Sequence, residues 1–541
     1  MSAPLRVRRL AALLSVLALV SILAAAPGAA PRPGDQRQRA DSAVPPGIDA
    51  TAAKIMEAFE VPGLALAIVK DGRVALAKGY GVRKLGEPTP VDARTLFGIA
   101  SNSKVFTATA LGLLVEEGRI DWDAPVVDYL PWFMMYDPYV TRELTVRDLL
   151  VHRSGLGLGA GDLLWWPEST YNRREVAERL RFIKPATSFR SAYAYDNVLY
   201  LVAGEVIQEV TGRTWEDFVD DRILKKVGMT DSNPRHSAAA EGGNVAAPHA
   251  RIEGAVRPIA PFTSDNTNPA GGINSGAEDM AKWMLVRLAR GKLSDGTALY
   301  SERTAREIEM PVTILPNPAP PAELAALKSN FAAYALGMNV RDYRGHKVLT
   351  HTGGLPGYVS IVTLLPDRNL GVAVLTNAES TSAFSALTWH VVDHDLGVPA
   401  TDWTAAYLAL QKRAEERLAK ALGGAEAARD AASGSSLPPA KYAGVYTDAW
   451  YGDIAIEEAG GKLVMRFTRT PALVGDMEHW QHDTFVVRWR DRELRADAFV
   501  TFALNPDGSI ERAKMEAVSP ETDFSYDFHD LDLRPAAERK R

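Results

Sequence analysis

The chain has 541 residues and a net charge of −6 at pH 7, with 46% hydrophobic and 24% charged residues. That balance belongs to a folded globular protein with room for more than one domain, and it excludes a fibrous or extensively disordered chain. The absence of cysteine excludes disulfides, thiolate catalysis, thiolate-ligated zinc and iron–sulfur clusters, and the mild acidity without long basic runs excludes nucleic acid as an expected partner.

Arg6, Arg8 and Arg9 precede an apolar run from Leu10 to Ala26, and small residues continue to Ala30. This order predicts an export signal over residues 1–30, removed from a periplasmic or secreted protein that keeps no membrane span. An uncleaved membrane anchor is the alternative. Residues 31–47 read as a flexible lead-in. Leu64–Val69 and Val74–Lys78 flank Lys70-Asp71-Gly72 and predict a β-hairpin. Ser101 to Glu117 has apolar residues at helical spacing, with Gly118 as the stop. Residues 145–300 read as mostly helical with loops, and include helices at Val198–Val210 and Asp279–Leu288. The Pro-rich stretch from Leu315 to Pro321 predicts a surface loop or lid, and substrate selection is expected from loops such as 311–330.

Strand signals return at Tyr334–Val340, Ile361–Leu365 and Val372–Leu375, and residues 379–421 are again helical. Strands at both ends with helices between require the N-terminal hairpin to pair with the late strands. The expected fold is α+β: an antiparallel sheet flanked by helices, with an all-helical subdomain, over residues 48–400. A helix and a Gly- and Ser-rich linker occupy 401–438. Short strand signals at Ile454–Ile456, Leu463–Phe467, Phe485–Trp489, Phe499–Leu504 and Ala513–Ala517 predict a small all-β barrel over 439–541.

Ser101-Asn102-Ser103-Lys104 opens the first long helix. Positions i and i+3 share a helix face, so Ser101 and Lys104 can touch, whereas Ser103 cannot share that face with Lys104. A serine hydroxyl needs a partner to take its proton, and a lysine loses charge when desolvated. Two further pieces follow in order: Tyr195-Asp196-Asn197 before a helix, and His351-Thr352-Gly353-Gly354 between strand signals. S-x-x-K, then Y-x-N, then a K/H-T-G-like triplet is the order of the penicillin-recognising serine hydrolases.

The chain resembles the serine β-lactamase-related family, near class C β-lactamases, penicillin-binding proteins, D-aminopeptidases and related esterases. Leu149–Leu156, Ala270-Gly271-Gly272, Asp279, Gly354 and Gly357 belong to that resemblance, and the C-terminal sheet resembles a lipocalin-like module. The resemblance implies that Ser101 is acylated, that Lys104 takes its proton, and that Tyr195 relays a proton and activates water, its phenolate stabilised by Lys104. It implies that Asn197 holds Lys104 and the substrate amide. The N–H groups of Ser101 and Gly354 would form the oxyanion hole, with small residues at 353 and 354 letting substrate approach. Thr352 and His351 complete the substrate-binding strand. His351 stands where lysine is usual, which disfavours β-lactam and D-Ala-D-Ala substrates. It could polarise Tyr195, or bind a carboxylate when protonated.

The resulting expectation is an exported serine hydrolase acting through an acyl-enzyme on a peptide or amide, including peptides with D-residues. A carboxylesterase on the same machinery is one alternative, and a β-lactam- or muropeptide-binding protein with little turnover is another. No cofactor or metal is expected. His152 reads as structural, and His390 with His394 lacks a third ligand. Trp165-Trp166 and Trp132-Phe133 either pack among the helices or line the cleft.

Overall fold

Leu64, Leu66 and Ile68 alternate with Ala65, Ala67 and Val69, and all six are fully buried. A strand apolar on both faces must be covered on both. The computed structural model describes residues 43–536, so the expected export signal over 1–30 lies outside the described residues. In it, strand β1 (Gly63–Lys70) sends Leu64, Leu66 and Ile68 into one apolar cluster and Ala65, Ala67 and Val69 into another. Helices α1 (Ile48–Ala58) and, later, Thr381–Leu396 cover the first face, while α2 (Lys104–Glu116) and the helix Ala277–Leu288 cover the second. Each large side chain so enclosed contributes about 1.5–3 kcal/mol relative to exposure.

The sheet has eight antiparallel strands. After β1 come β2 (Arg73–Gly81), β3 (Thr313–Ile314), β4 (Ala332–Tyr334), β5 (Asn339–Tyr343), β6 (His346–Leu355), β7 (Tyr358–Leu365) and β8 (Leu370–Thr376), in the spatial order β2-β1-β8-β7-β6-β5-β4-β3. The expected pairing of the N-terminal hairpin with a late strand is present, with Leu66 opposite Val374. The chain between β2 and β3 supplies the helices, among them α3 (Val198–Thr211), capped by Gly212 in the left-handed region.

The stretch 145–300, read from sequence as mostly helical with loops, also holds a hairpin of His249–Ile252 with Ala255–Pro258. Tyr334–Val340 is not one strand: β4 ends at Tyr334 and the chain turns through Gly337 before β5. Gly337 has φ 81°, and a Cβ there would lie 2.9 Å from the Lys104 carbonyl carbon, so this turn packs tightly on the start of α2. The Pro-rich stretch is a surface loop, one of its two expected readings. It leads into the turn Ala322–Leu327, whose Leu324 and Leu327 join the sheet's apolar cover and whose Glu323 pairs with Arg413 at 3.2 Å on the helix Trp403–Ala427.

Beyond that helix, β9 (Gly444–Asp448), β10 (Gly452–Ala459), β11 (Lys462–Phe467), β12 (Val474–Gln481), β13 (Thr484–Trp489), β14 (Ala498–Leu504), β15 (Ile510–Ala517) and β16 (Arg534–Pro535) form an antiparallel sheet in the order β15-β14-β13-β12-β11-β10-β9-β16. A bridge between Ala513 and Leu533 nearly closes it into a barrel. The barrel packs on the helical region. Tyr171 donates its hydroxyl to the Tyr451 carbonyl at 2.5 Å, and Arg179 donates to the Trp450 carbonyl at 2.8 Å.

Candidate active site

Phe97–Gly98 pairs with Asn274–Ser275 and delivers the chain to Ala100, a non-glycine residue at φ 48°. Residues 100–103 then form one 3-10 turn before α2 begins at Lys104. In a 3-10 turn side chains three apart eclipse one another. Ser101 and Lys104 therefore meet, with Nζ 3.0 Å from the Ser101 hydroxyl oxygen. Ser103 faces elsewhere: it is buried, and its hydroxyl accepts from the Ile273 N–H at 3.1 Å.

Lys104 is wholly buried, and burial brings its pKa down to about 7 against the opposing pull of Asp162 and Asp196. Its other neighbours are the Asn197 Oδ1 at 2.7 Å and the Ala270 carbonyl at 3.0 Å. Neither oxygen can donate, so each must take an N–H from the lysine. A neutral amine has two N–H groups and one lone pair. The two carbonyl oxygens consume the N–H groups, and the lone pair is left for the Ser101 hydroxyl. In this arrangement a neutral Lys104 can accept a proton from Ser101.

Tyr195 lies in the segment before α3, and its ring centre is 4.8 Å from Lys104 Nζ. Burial holds its phenol well above 10, with the adjacent Ser101 hydroxyl pulling the other way. The phenolate that its expected role in activating water requires would depend on the Lys104 charge beside the ring. Asn197 is placed as expected against Lys104. Its Nδ2, however, donates to Asp162 Oδ2 at 2.8 Å, so one of its two N–H groups is already committed.

His351, Thr352, Gly353 and Gly354 lie on β6 beside the Ser101 turn. Pairing with β5 ends at Thr350 opposite Asn339, so Thr352–Leu355 has a strand partner only on the β7 side. The two glycines differ. A Cβ on Gly353 would collide with the Ile99 carbonyl oxygen, whereas one on Gly354 would enter open space. Gly353 is small to let β6 pack on the Ser101 turn, which corrects the reading that substrate approach requires it. Gly354 and Thr352 face the cleft.

The carboxylate-binding role considered for His351 is also corrected. Its Nδ1 lies 2.5 Å from the Thr352 carbonyl and must donate to it, so Nε2 accepts from the Tyr334 hydroxyl at 2.8 Å. Burial, with help from Lys104, takes its pKa down to about 3, and it is a neutral wall of the site. Nor does it hydrogen-bond Tyr195, whose ring centre is 6.2 Å away. His152 is buried in the left-handed region (φ 55°), accepts from the Asp196 N–H at 3.2 Å, and packs its ring 4.2 Å from Tyr195. It supports the tyrosine from behind.

These groups border a cavity of about 300 Å³ whose wall includes Ser101, Tyr195, Thr352, Trp165 and Trp166. Trp166 stacks on Phe262 at 5.6 Å. Trp132 and Phe133 are not part of this wall, and none of it comes from 311–330. A group of three or more potential metal ligands is absent among the described residues.

A family model described as Beta-lactamase matches residues 48–396. The chain belongs to the β-lactamase family. A second model, described only as a domain of unknown function, matches residues 428–535. Unguisins hydrolase ungD of Aspergillus violaceofuscus is 29% identical over 488 residues, 84% of each chain. Among solved structures, the octameric penicillin-binding protein homologue of Pyrococcus abyssi aligns with a TM-score of 0.55 at 21% identity, over 90% of this chain and 98% of that one. SurE with D-Leu aligns with a TM-score of 0.51 at 19% identity, over 93% and 100%. At these identities the two structures speak for the fold.

The β-lactamase family is one of serine hydrolases, and this member has site residues that its sequence did not announce. Asp162 anchors Asn197, Tyr334 orients His351, and Tyr193 joins the cavity wall. Asp523, Phe524 and Ser525 arrive from beyond β15. Only Tyr193 had a usable signal, its i, i+2 relation to Tyr195.

Proposed function

We propose that the chain is an exported serine hydrolase that cleaves amide or peptide bonds through an acyl-enzyme at Ser101. The Ser101 oxygen attacks the substrate carbonyl carbon while its proton passes to the Lys104 lone pair. The carbonyl electrons move onto its oxygen, which the N–H groups of Ser101 and Gly354 stabilise. Collapse breaks the bond to the leaving nitrogen, which takes a proton through the Tyr195 phenol. The raised pKa keeps that phenol protonated, so it gives its proton to the nitrogen as Lys104 returns to it the one taken from Ser101. Water then attacks the ester, the bond from the acyl carbon to the Ser101 oxygen breaks, the water's proton reaches Ser101 through the same groups, and the carboxylic acid leaves. These steps keep four expectations from sequence: Ser101 as nucleophile, Lys104 as base, Tyr195 as relay, and the Ser101 and Gly354 N–H groups as oxyanion hole.

The observation that carries the substrate class is the charge of the wall. Among the described residues Asp523 is the one acidic side chain in the wall, no lysine or arginine lines it, and burial keeps its two histidines neutral. A β-lactam or a D-Ala-D-Ala terminus brings a carboxylate that such a wall would repel. Neutral amides, internal peptide bonds and amines fit it. The half-paired edge of β6 suits an extended peptide, which can add to it as a strand. The hydrolase name of a relative matching 84% of the chain supports turnover over mere binding.

The assignment is tested with a fluorophosphonate probe and intact mass. The wild type and Ser103→Ala are expected to gain one adduct and Ser101→Ala none; an adduct persisting in Ser101→Ala would end the assignment. The charge argument is tested at Asp523. Asp523→Lys is expected to lower kcat/KM for an amine-bearing peptide amide and raise it for a carboxylate-bearing analogue, changing their ratio by about tenfold or more, since a reversed charge across several ångströms is worth more than 1.4 kcal/mol. An unchanged ratio would show that Asp523 does not select substrate.

A further inference from the structure

The loop after β15 reaches back from the barrel and grips the turn that holds Asp162. Asp527 accepts from the Gly161 N–H at 2.6 Å and from the Leu163 N–H at 3.1 Å, the two amides flanking Asp162. Ser525 donates its hydroxyl to Asp162 Oδ2 at 2.9 Å. Phe524 lies against Gly159, where an added Cβ would meet its carbonyl oxygen at 2.7 Å. Ser525 and Asp527 are buried. The Oδ2 that takes the Ser525 hydroxyl also takes Asn197 Nδ2, and the Oδ1 of Asn197 takes an N–H of Lys104. A continuous path of hydrogen bonds therefore runs Ser525–Asp162–Asn197–Lys104–Ser101.

We infer that Ser525 of the C-terminal barrel is a positioning residue for the Ser101–Lys104 pair, acting through Asp162 and Asn197. The inference rests on the reading of Ser101 as nucleophile and Lys104 as base. Asp162 is fully buried, and a buried carboxylate must be held by donors. Trp165 Nε1 supplies one to Oδ1, and Asn197 and Ser525 supply the two to Oδ2. Without Ser525 the carboxylate loses one support for its charge and Asn197 loses a fixed partner.

The sign of the effect follows from the groups that face this path. Asp162 faces Lys104 from α2, Asp196 and Tyr195 from the segment before α3, and Asp527 from the barrel loop. Lys104 also faces His152 and His351, both held neutral by burial. Asp162 and Asp196 favour the ammonium form of Lys104. The Ser525 hydroxyl favours the Asp162 anion. Removing it makes Asp162 less anionic, so Lys104 surrenders its proton at lower pH and becomes a weaker base.

The test measures fluorophosphonate labelling of the full chain at Ser101 against pH. In that step the serine oxygen bonds to phosphorus, fluoride leaves, and the proton goes to Lys104. For Ser525→Ala the plateau rate is expected to fall about tenfold, and the acid limb to move to lower pH by about half a unit or more. Ser525→Cys, a weaker donor of similar size, is expected to fall between. Ser519→Ala, which removes a hydroxyl of the same loop that accepts from the Glu521 N–H, is expected to match the wild type. A folded Ser525→Ala with the wild-type plateau and limb would overturn the inference; if it does not fold, the Ser525→Cys profile decides in the same way. Should the wild type itself go unlabelled at Ser101, the nucleophile reading has failed. Amide hydrogen exchange at Asp162 and Leu163 then judges the path: about tenfold faster exchange in the variant supports the grip, and no change removes it.

Discussion

Lys104→Met will slow Ser101 acylation by about a thousandfold, the middle to upper range for the loss of a positioned general base. The side chains have similar length, so the variant tests the amine and not the space. Methionine offers no lone pair of comparable basicity, and it leaves the Asn197 Oδ1 and the Ala270 carbonyl without the N–H groups they now accept. The wild-type rate of probe labelling will rise with pH through about 7, because only the neutral amine can take the serine proton and burial has brought its pKa there. Below that limb the rate should fall tenfold per pH unit. Asp162 and Asp196 are themselves raised to about 7, so the limb belongs to the coupled cluster and not to one group. In Lys104→Met the limb will vanish together with most of the rate. A variant that labels at the wild-type rate with the same limb would transfer the base role away from Lys104.

Gly353→Ala and Gly354→Ala will behave oppositely although they are neighbours. At position 353 the new methyl would collide with the Ile99 carbonyl oxygen, sit 2.7 Å from the Ser360 hydroxyl, and lie 3.0 Å from the Ala100 Cβ. The first obstacle is backbone in the strained turn that sets Ser101, so relief requires β6 or that turn to move. Overpacking of this kind costs about 1–3 kcal/mol, which lowers the melting temperature by several degrees in a domain of this size. Because the displaced atoms are those beside the nucleophile, labelling falls as well. At position 354 the methyl enters open space in the cleft, so melting should match the wild type while kcat/KM for peptides drops. Thermal melting and labelling of both variants check the pair. A Gly353→Ala protein as stable and as reactive as the wild type would refute the packing argument.

Much of the fold was legible because it rests on local patterns. The apolar run of β1, with Asp71-Gly72 at its turn, specifies a hairpin covered on both faces, and the serine–lysine spacing specifies a contact in either an α or a 3-10 turn. Strand β12 escaped notice because its outward positions are Asp476, Glu478 and His479, leaving too little apolar signal. The break between Tyr334 and Asn339 depends on a turn packed against Lys104, which is a tertiary fact. Asp162 sits in an unremarked Gly-Asp-Leu-Leu string, and its partner Ser525 is 363 residues away. No spacing rule joins such residues. The charge states were illegible for the same reason: the neutral His351 follows from its burial, which only the assembled wall provides.

The open edge of β6 and the wall opposite it divide recognition into two separable kinds. If the proposed peptide substrates add to this edge, it offers backbone groups, which every peptide presents in the same form, so it would hold any extended chain and rank none above another. Discrimination must then come from the aromatic and acidic side chains across the cavity. Changes along the edge should scale kcat/KM for all peptides by a common factor, while changes in the wall should reorder them. Since part of that wall belongs to the barrel, two relatives with the same catalytic residues and different barrels would share a reaction and differ in what they accept.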